Sequence, residues 1–171
     1  TKFRDVAVPV VLWEQANQDD FLMTGNTGDV DRGNIADQTE GDIVNADHPL
    51  AGGLSLGTKT LSNPAQGFTW GVPGPKAVVI ATVAGDATRS LLYAYDTGSI
   101  LIDGTTPAPA PRVGFFWNDD GYENATEDAL TLFDAAVIWA SGIEPVVKTS
   151  AKIAWVSFHA ADDAPSGDAA N

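Results

Sequence analysis

The chain has no cysteine, one methionine, two histidines, and nine lysine and arginine residues against 23 acidic ones. Without thiols there is no disulfide, no thiolate nucleophile and no cysteine-based metal centre. A formal net charge of -14 repels phosphate backbones, which excludes nucleic acid as a partner. No apolar run approaches the length of a bilayer span, so no membrane insertion is expected. A signal peptide is also lacking, and the abrupt start at TKFRDVAVPV reads as a mature or trimmed product.

What is present suits a folded domain. Hydrophobic residues make up 44% of the chain, too many for a disordered one, and 171 residues bury a sizeable core. The acids are mostly Asp, set in loops with Gly, Asn and Thr, where they serve solvation or weak calcium binding. This composition, with little Lys and no Cys, points to a bacterial extracellular or cell-surface protein rather than a cytosolic enzyme.

Residues 112–142 organise the rest. Val113, Gly114, Phe115, Phe116 and Trp117 form an unbroken apolar run, the pattern of a strand buried on both faces. After the turn NDDGYEN, Ala129, Leu130, Phe133, Ala136, Val137 and Ala140 recur at helical spacing and mark one buried stripe. Leu132, Ile138 and Trp139 fall off that stripe and predict a second contact surface. Asn124 or Thr126 caps the helix, Glu127 and Asp128 sit in its first turn, and Gly142 stops it. A helix following a buried strand predicts an α/β layer structure.

Elsewhere, residues 8–14 (VPVVLWE) read as a central-type strand, with Pro9 confined to its start. Residues 15–42 read as a polar loop. Short strands are expected over 42–46, 59–62, 68–71, 76–84 and 90–96, and their brief Gly- and Pro-containing connections favour antiparallel neighbours. The Pro-rich stretch 104–111 reads as an extended connector. Residues 143–151 form a linker, followed by Lys152, Ile153, Ala154, Trp155, Val156, Ser157, Phe158 and His159, another strand of the two-sided buried kind.

Four groups of residues carry chemical candidates. Asp29, Asp31 and Asp37, with Gly33 and Asn34, offer oxygens at short spacing that resemble part of a calcium loop, although the terminal Glu is missing; calcium is the cofactor this would admit, and otherwise none is expected. Asp47 beside His48 is either a carboxylate-oriented acid/base group or a turn in which Asp47 caps amides and the imidazole packs. His159, Asp162 and Asp163 stand where a parallel strand would deliver ligands, or form a solvated tail. Trp70, Tyr93 and Tyr95, with Phe68, line either a sugar-stacking face or the core. Asn124-Ala125-Thr126 is a glycosylation sequon by pattern, in competition with the helix cap.

Three strings, NADHPLAGGL over 45–54, RVGFFW over 112–117 and LFDAAVIWASG over 132–142, resemble those of trehalose-utilisation-type (ThuA-like) domains. The likeness covers residues 6–142. It implies a flavodoxin-like, partly parallel sheet with an antiparallel portion, of the class I glutamine-amidotransferase-like group. It also implies that an opening strand and one or two strand–helix units would precede Thr1, and that KIAWVSFHAADDAPS resembles such an opening strand. The expected layout is therefore the later part of a domain over 1–142, a linker over 143–151, and over 152–171 the start of a following domain or a donor strand. The amidotransferase relatives act through a cysteine, absent here, so that chemistry does not carry over. The expected function is a non-catalytic extracellular structural or adhesive module partnered by copies of itself through 152–159. The alternatives are a carbohydrate-binding module, with a glycan partner, or a carbohydrate-active hydrolase or isomerase using Asp47, His48, His159 and Asp162.

Overall fold

The computed structural model of the chain describes residues 3–118 and 121–143. Among these, the strands are β1 (Val10–Leu12), β2 (Arg32–Gln38), β3 (Glu40–Ile43), β4 (Gly57–Thr60), β5 (Gln66–Gly71), β6 (Val78–Val83), β7 (Asp86–Tyr95) and β8 (Arg112–Gly114), and helix α1 spans Glu127–Ser141. The eight strands form one mixed sheet, parallel only between β1 and β8. The architecture is thus an α/β-like sheet with a helix packed on it.

The ladder runs β1-β8-β7-β6-β3-β4, and β5 branches from it, pairing with β2 along its length and with β7 at Gly71–Ser90. Because β2 continues through Thr39 into β3, and β3 pairs with β6, this branch returns to the main ladder as a closed circuit of strands. Gly41 lets β3 approach the enclosed space, since a Cβ there would stand 2.7 Å from Leu61 Cδ1 and 2.8 Å from Leu91 Cδ1. Gly85, at φ 75°, closes the β6–β7 hairpin in the left-handed region that favours glycine.

Both faces of the long strand β7 are covered. Leu92 and Ala94 join Val113, Phe115, Phe116 and the buried side of α1 in the larger core. Tyr93 and Tyr95 join Phe21, Met23, Leu101 and Ala108 in a second core on the opposite face, built by the connections before β2 and before β8. Each large side chain so buried contributes about 1.5–3 kcal/mol, so these two connections contribute to stability.

Several expectations change. The polar stretch 15–42 contains β2 and the start of β3, because β5 supplies a pairing partner that local sequence does not reveal. The segment 8–14 forms only the three residues of β1, which lies at an end of the ladder rather than at its centre. The strand expected over 42–46 is β3, which starts two residues earlier, at Glu40, and ends at Ile43. Val113 to Trp117 are all buried as expected, but ladder pairing ends at Gly114. Thr126 is the helix cap, its Oγ1 accepting from Ala129 N–H, and Gly142 ends α1 at φ 66°. The buried line of α1 is Ala129, Leu132, Ala136 and Ala140, while Leu130 and Val137 are exposed; Leu132 belongs to the core rather than to a second surface.

Candidate functional site

Among the described residues, α1 is flanked by a hollow on each of two sides. The first, about 590 Å³, lies between the helix and a 3-10 turn at Pro49–Ala51, and is lined by Pro49, Gly52, Thr131, Ile138, Trp139 and Ile143 among others. His48 caps that turn: its Nδ1 accepts Leu50 N–H at 3.2 Å, and its ring lies 5.7 Å from that of Trp139. Burial lowers the affinity of the imidazole for a proton, an effect that Asp96 opposes. Asp47 is exposed beside it. The cap is therefore His48 rather than Asp47. His48 thus has Nδ1 engaged by the backbone and its ring packed against Trp139.

The second hollow, about 450 Å³, is lined by Trp13, Trp117, Asn118, Tyr122, Leu130 and Phe133. Trp13 follows the end of β1, and Trp117 lies just beyond the end of β8, so the hollow opens at the carboxyl end of the parallel pair, where such sheets usually place ligands. Phe133 reaches it from the first half of α1. Its ring centroid is 4.5 Å from Trp117 and 6.1 Å from Trp13, the latter edge-on at 64°. Trp13 is 41% exposed and Tyr122 65% exposed, whereas Trp117 is buried. Trp117 Nε1 is buried with no acceptor among the described residues.

The aromatic residues expected to form a sugar-stacking face lie inside the protein. Trp70, Tyr93 and Tyr95 are all buried, because both faces of their strands are covered. Tyr95 Oη accepts Gly74 N–H at 2.6 Å and donates to Met23 O at 2.8 Å, and burial pushes its pKa up to about 12. Tyr93 is pushed up by the same cause. Arg89 covers Trp70, its guanidinium carbon 4.7 Å from the ring centre. No ring of the three presents a face to solvent.

The acidic candidates do not converge. Asp31 Oδ2 accepts Thr27 N–H at 2.9 Å, and Asp29 and Asp37 occupy left-handed backbone at φ 60° and 57°. Among the described residues no three His, Cys, Asp or Glu side chains gather where a metal ion would sit. Thr126 of the sequon is engaged, donating to Thr60 O at 2.6 Å as well as capping α1. His159, Asp162, Asp163 and the segment 152–159 lie outside the described residues.

The rim of the second hollow was not among the sequence candidates. The available signal was the placement of two tryptophans just after strand ends, which differs from aromatic residues alternating within strands. Among the described residues no helix is long and apolar enough to cross a membrane. Comparison with protein families, with curated proteins and with solved structures finds no match to this chain.

Proposed function

We propose that this chain is a non-catalytic extracellular structural or adhesive module whose copies assemble head to tail, segment 152–159 of one adding as a strand to β1 of the next. The observation that supports this is the open edge of β1. The strand bonds β8 on one side, with Val10 N–H to Pro111 O at 3.0 Å and Phe115 N–H to Leu12 O at 2.9 Å. Alternate residues of a strand turn their amides to opposite sides, so Val11 presents its N–H and C=O away from β8. No strand meets that edge among the described residues. An unpaired edge is a template for strand addition, and KIAWVSFH brings β-branched and aromatic residues suited to it. A contact between two different surfaces repeats from copy to copy when it does not close, which gives a fibre or array. The net charge of -14 and the absence of cysteine fit an extracellular setting. A ThuA-like, flavodoxin-like ancestry is part of this proposal, supported by β8 leading into α1 with β1 parallel beside it.

Sedimentation velocity of the full chain over a concentration series tests it, beside a Val156→Pro variant that removes a ladder donor from the added strand. The parent should form a concentration-dependent series of species in which the Val11 amide exchanges slowly, and the variant should remain monomeric with Val11 exchanging fast. A parent that stays monomeric at every concentration, or a variant that assembles equally well, refutes assembly by strand addition.

A further inference from the structure

Helix α1 carries an apolar flank that its contacts leave half uncovered. Its buried line, Ala129, Leu132, Ala136 and Ala140, rests on the sheet, while Thr131, Ala135 and Ile138 look toward the turn at Pro49–Ala51 across the first hollow. On the other flank Leu130, Phe133 and Val137 recur at spacings of three and four, with Leu130 46% and Val137 44% exposed. Phe133 meets Trp13 just past β1, so this flank overhangs the edge of β1 that β8 does not occupy. Granted the pairing of segment 152–159 with β1 set out above, we propose that the segment pairs first with β1 of its own chain, beneath this flank, and that closure within one copy holds back addition to the next.

Direction and reach both fit. β3 runs opposite to β6, β6 to β7 and β7 to β8, so the Pro49–Ala51 turn after β3 lies at the amino end of β8 and of its parallel partner β1. Ile143 lines the hollow at that turn, so α1 returns the chain to the end from which a strand parallel to β1 would start. A helix that carries the chain from one strand back to the start of a parallel neighbour is the usual crossover in such sheets. β7 already occupies the other side of β8, which leaves the edge of β1 as the position beside this parallel pair. The eight residues 144–151 span up to about 26 Å, several times the spacing of about 4.8 Å between neighbouring strands. In KIAWVSFH, Ile153 and Trp155 alternate with Ala154, Val156 and Phe158, so either face sets apolar side chains against Leu130, Phe133 and Val137. So short a connection holds the segment at its own edge at an effective concentration on the order of millimolar, and a neighbour competes only when copies are crowded to that level.

The full chain, labelled with nitrogen-15 and kept at a concentration where sedimentation shows monomer alone, would be followed by hydrogen exchange at Val11. Its amide should exchange about tenfold or more slowly than in Val156→Pro. Leu130→Asp, at a half-exposed residue of the overhanging flank, should remove most of that protection, whereas Val30→Asp, at an exposed residue of the connection before β2, should not change it. Deleting residues 145–150 leaves only Glu144 and Ala151 as connection, a reach of roughly 7 Å. That chain should lose the Val11 protection as a monomer and associate at a concentration about tenfold or more below the parent's. Closure within one copy is overturned if Val11 of the monomeric parent exchanges as fast as in Val156→Pro, if Leu130→Asp and the deletion both keep the parent's protection, or if the parent associates as readily as the deletion. Protection in the monomer with no association of either chain at any concentration supports closure and refutes the assembly itself; association of a parent whose monomer leaves Val11 unprotected refutes closure and leaves assembly standing.

Discussion

Replacing Arg112 by methionine should loosen the amino-terminal segment and cost the fold about 2 kcal/mol. Arg112 is completely buried, and its guanidinium forms no ion pair with a carboxylate among the described residues. It donates instead to five main-chain carbonyls: Val8 O at 2.7 Å, Pro111 O at 3.2 Å and Ala110 O at 3.3 Å through Nη1, and Val6 O at 2.9 Å and Arg4 O at 3.1 Å through Nη2. Burial lowers its proton affinity, the ring centre of Phe21 lies 5.9 Å from its guanidinium carbon, and its Nε has no acceptor among the described residues. Counting only the two short bonds, at about 1.5–3 kcal/mol for each charged donor, gives roughly 3–6 kcal/mol. Removing a desolvated cation returns on the order of 1–4 kcal/mol. The carbonyls of Arg4, Val6 and Val8 can turn to water when released, because Val6 and Val8 are exposed and Arg4 is partly so. The net loss is therefore modest, and its local signature should be large.

Urea unfolding, followed by tryptophan fluorescence at low protein concentration, gives the global cost. Hydrogen exchange at Val8, whose amide bonds Val6 O at 2.8 Å, reports the local release. Arg112→Lys keeps the charge but has one ammonium for a forked set of acceptors, so it should recover only part of the loss. If Arg112→Met unfolds at the parent's midpoint and Val8 exchanges at the parent's rate, then the buried guanidinium does not tie residues 4–8 to β8.

Two further perturbations test smaller devices. Thr126→Ala removes the hydroxyl that accepts Ala129 N–H at 3.3 Å and donates to Thr60 O at 2.6 Å; a loss of about 1–2 kcal/mol in urea is expected, and an unchanged midpoint would mean that neither bond matters. Asp103 is held well below the usual carboxylate range by the hydroxyl and amide of Thr106 and the amide of Thr105. A depressed folded-state value stabilises the fold above the unfolded value of about 4 and is lost as pH falls through the folded one. Thermal unfolding should therefore show the parent above Asp103→Asn near neutrality and the two converging in acid. A gap that does not change with pH would refute that assignment.

The parts of the fold that local sequence encodes were legible. Thr126, Glu127, Asp128 and Gly142 mark the ends of α1 by capping and dipole chemistry, and the β6–β7 hairpin follows from apolar runs around Gly85. β2 was not legible. Its sequence RGNIADQ has a single β-branched residue, and its pairing depends on β5, where Gly33 stands opposite Trp70 with no room for a Cβ beneath the indole. The stripe of α1 was displaced to one side for a related reason. Periodicity counts Leu130, Phe133 and Val137 as readily as Leu132, whereas the sheet selects the line on which Ala129, Ala136 and Ala140 allow close approach.

The same limit explains the aromatic residues. Alternation along β7 separates Tyr93 and Tyr95 from Leu92 and Ala94, but it cannot say whether the tyrosine face meets water. That face is closed by Phe21, Met23, Leu101 and Ala108, which come from connections with no periodic signal of their own. A residue in the middle of a strand is exposed or buried according to what chain lies across it. A residue just past a strand end, such as Trp13, stands at the rim of the sheet, where a helix covers it only in part. Phe133 on α1 closes one side of that rim, and Tyr122, in the turn before the helix, leaves the other side open. For a sheet with both faces covered, aromatic residues at strand ends are therefore better placed to meet a ligand than those within the strands.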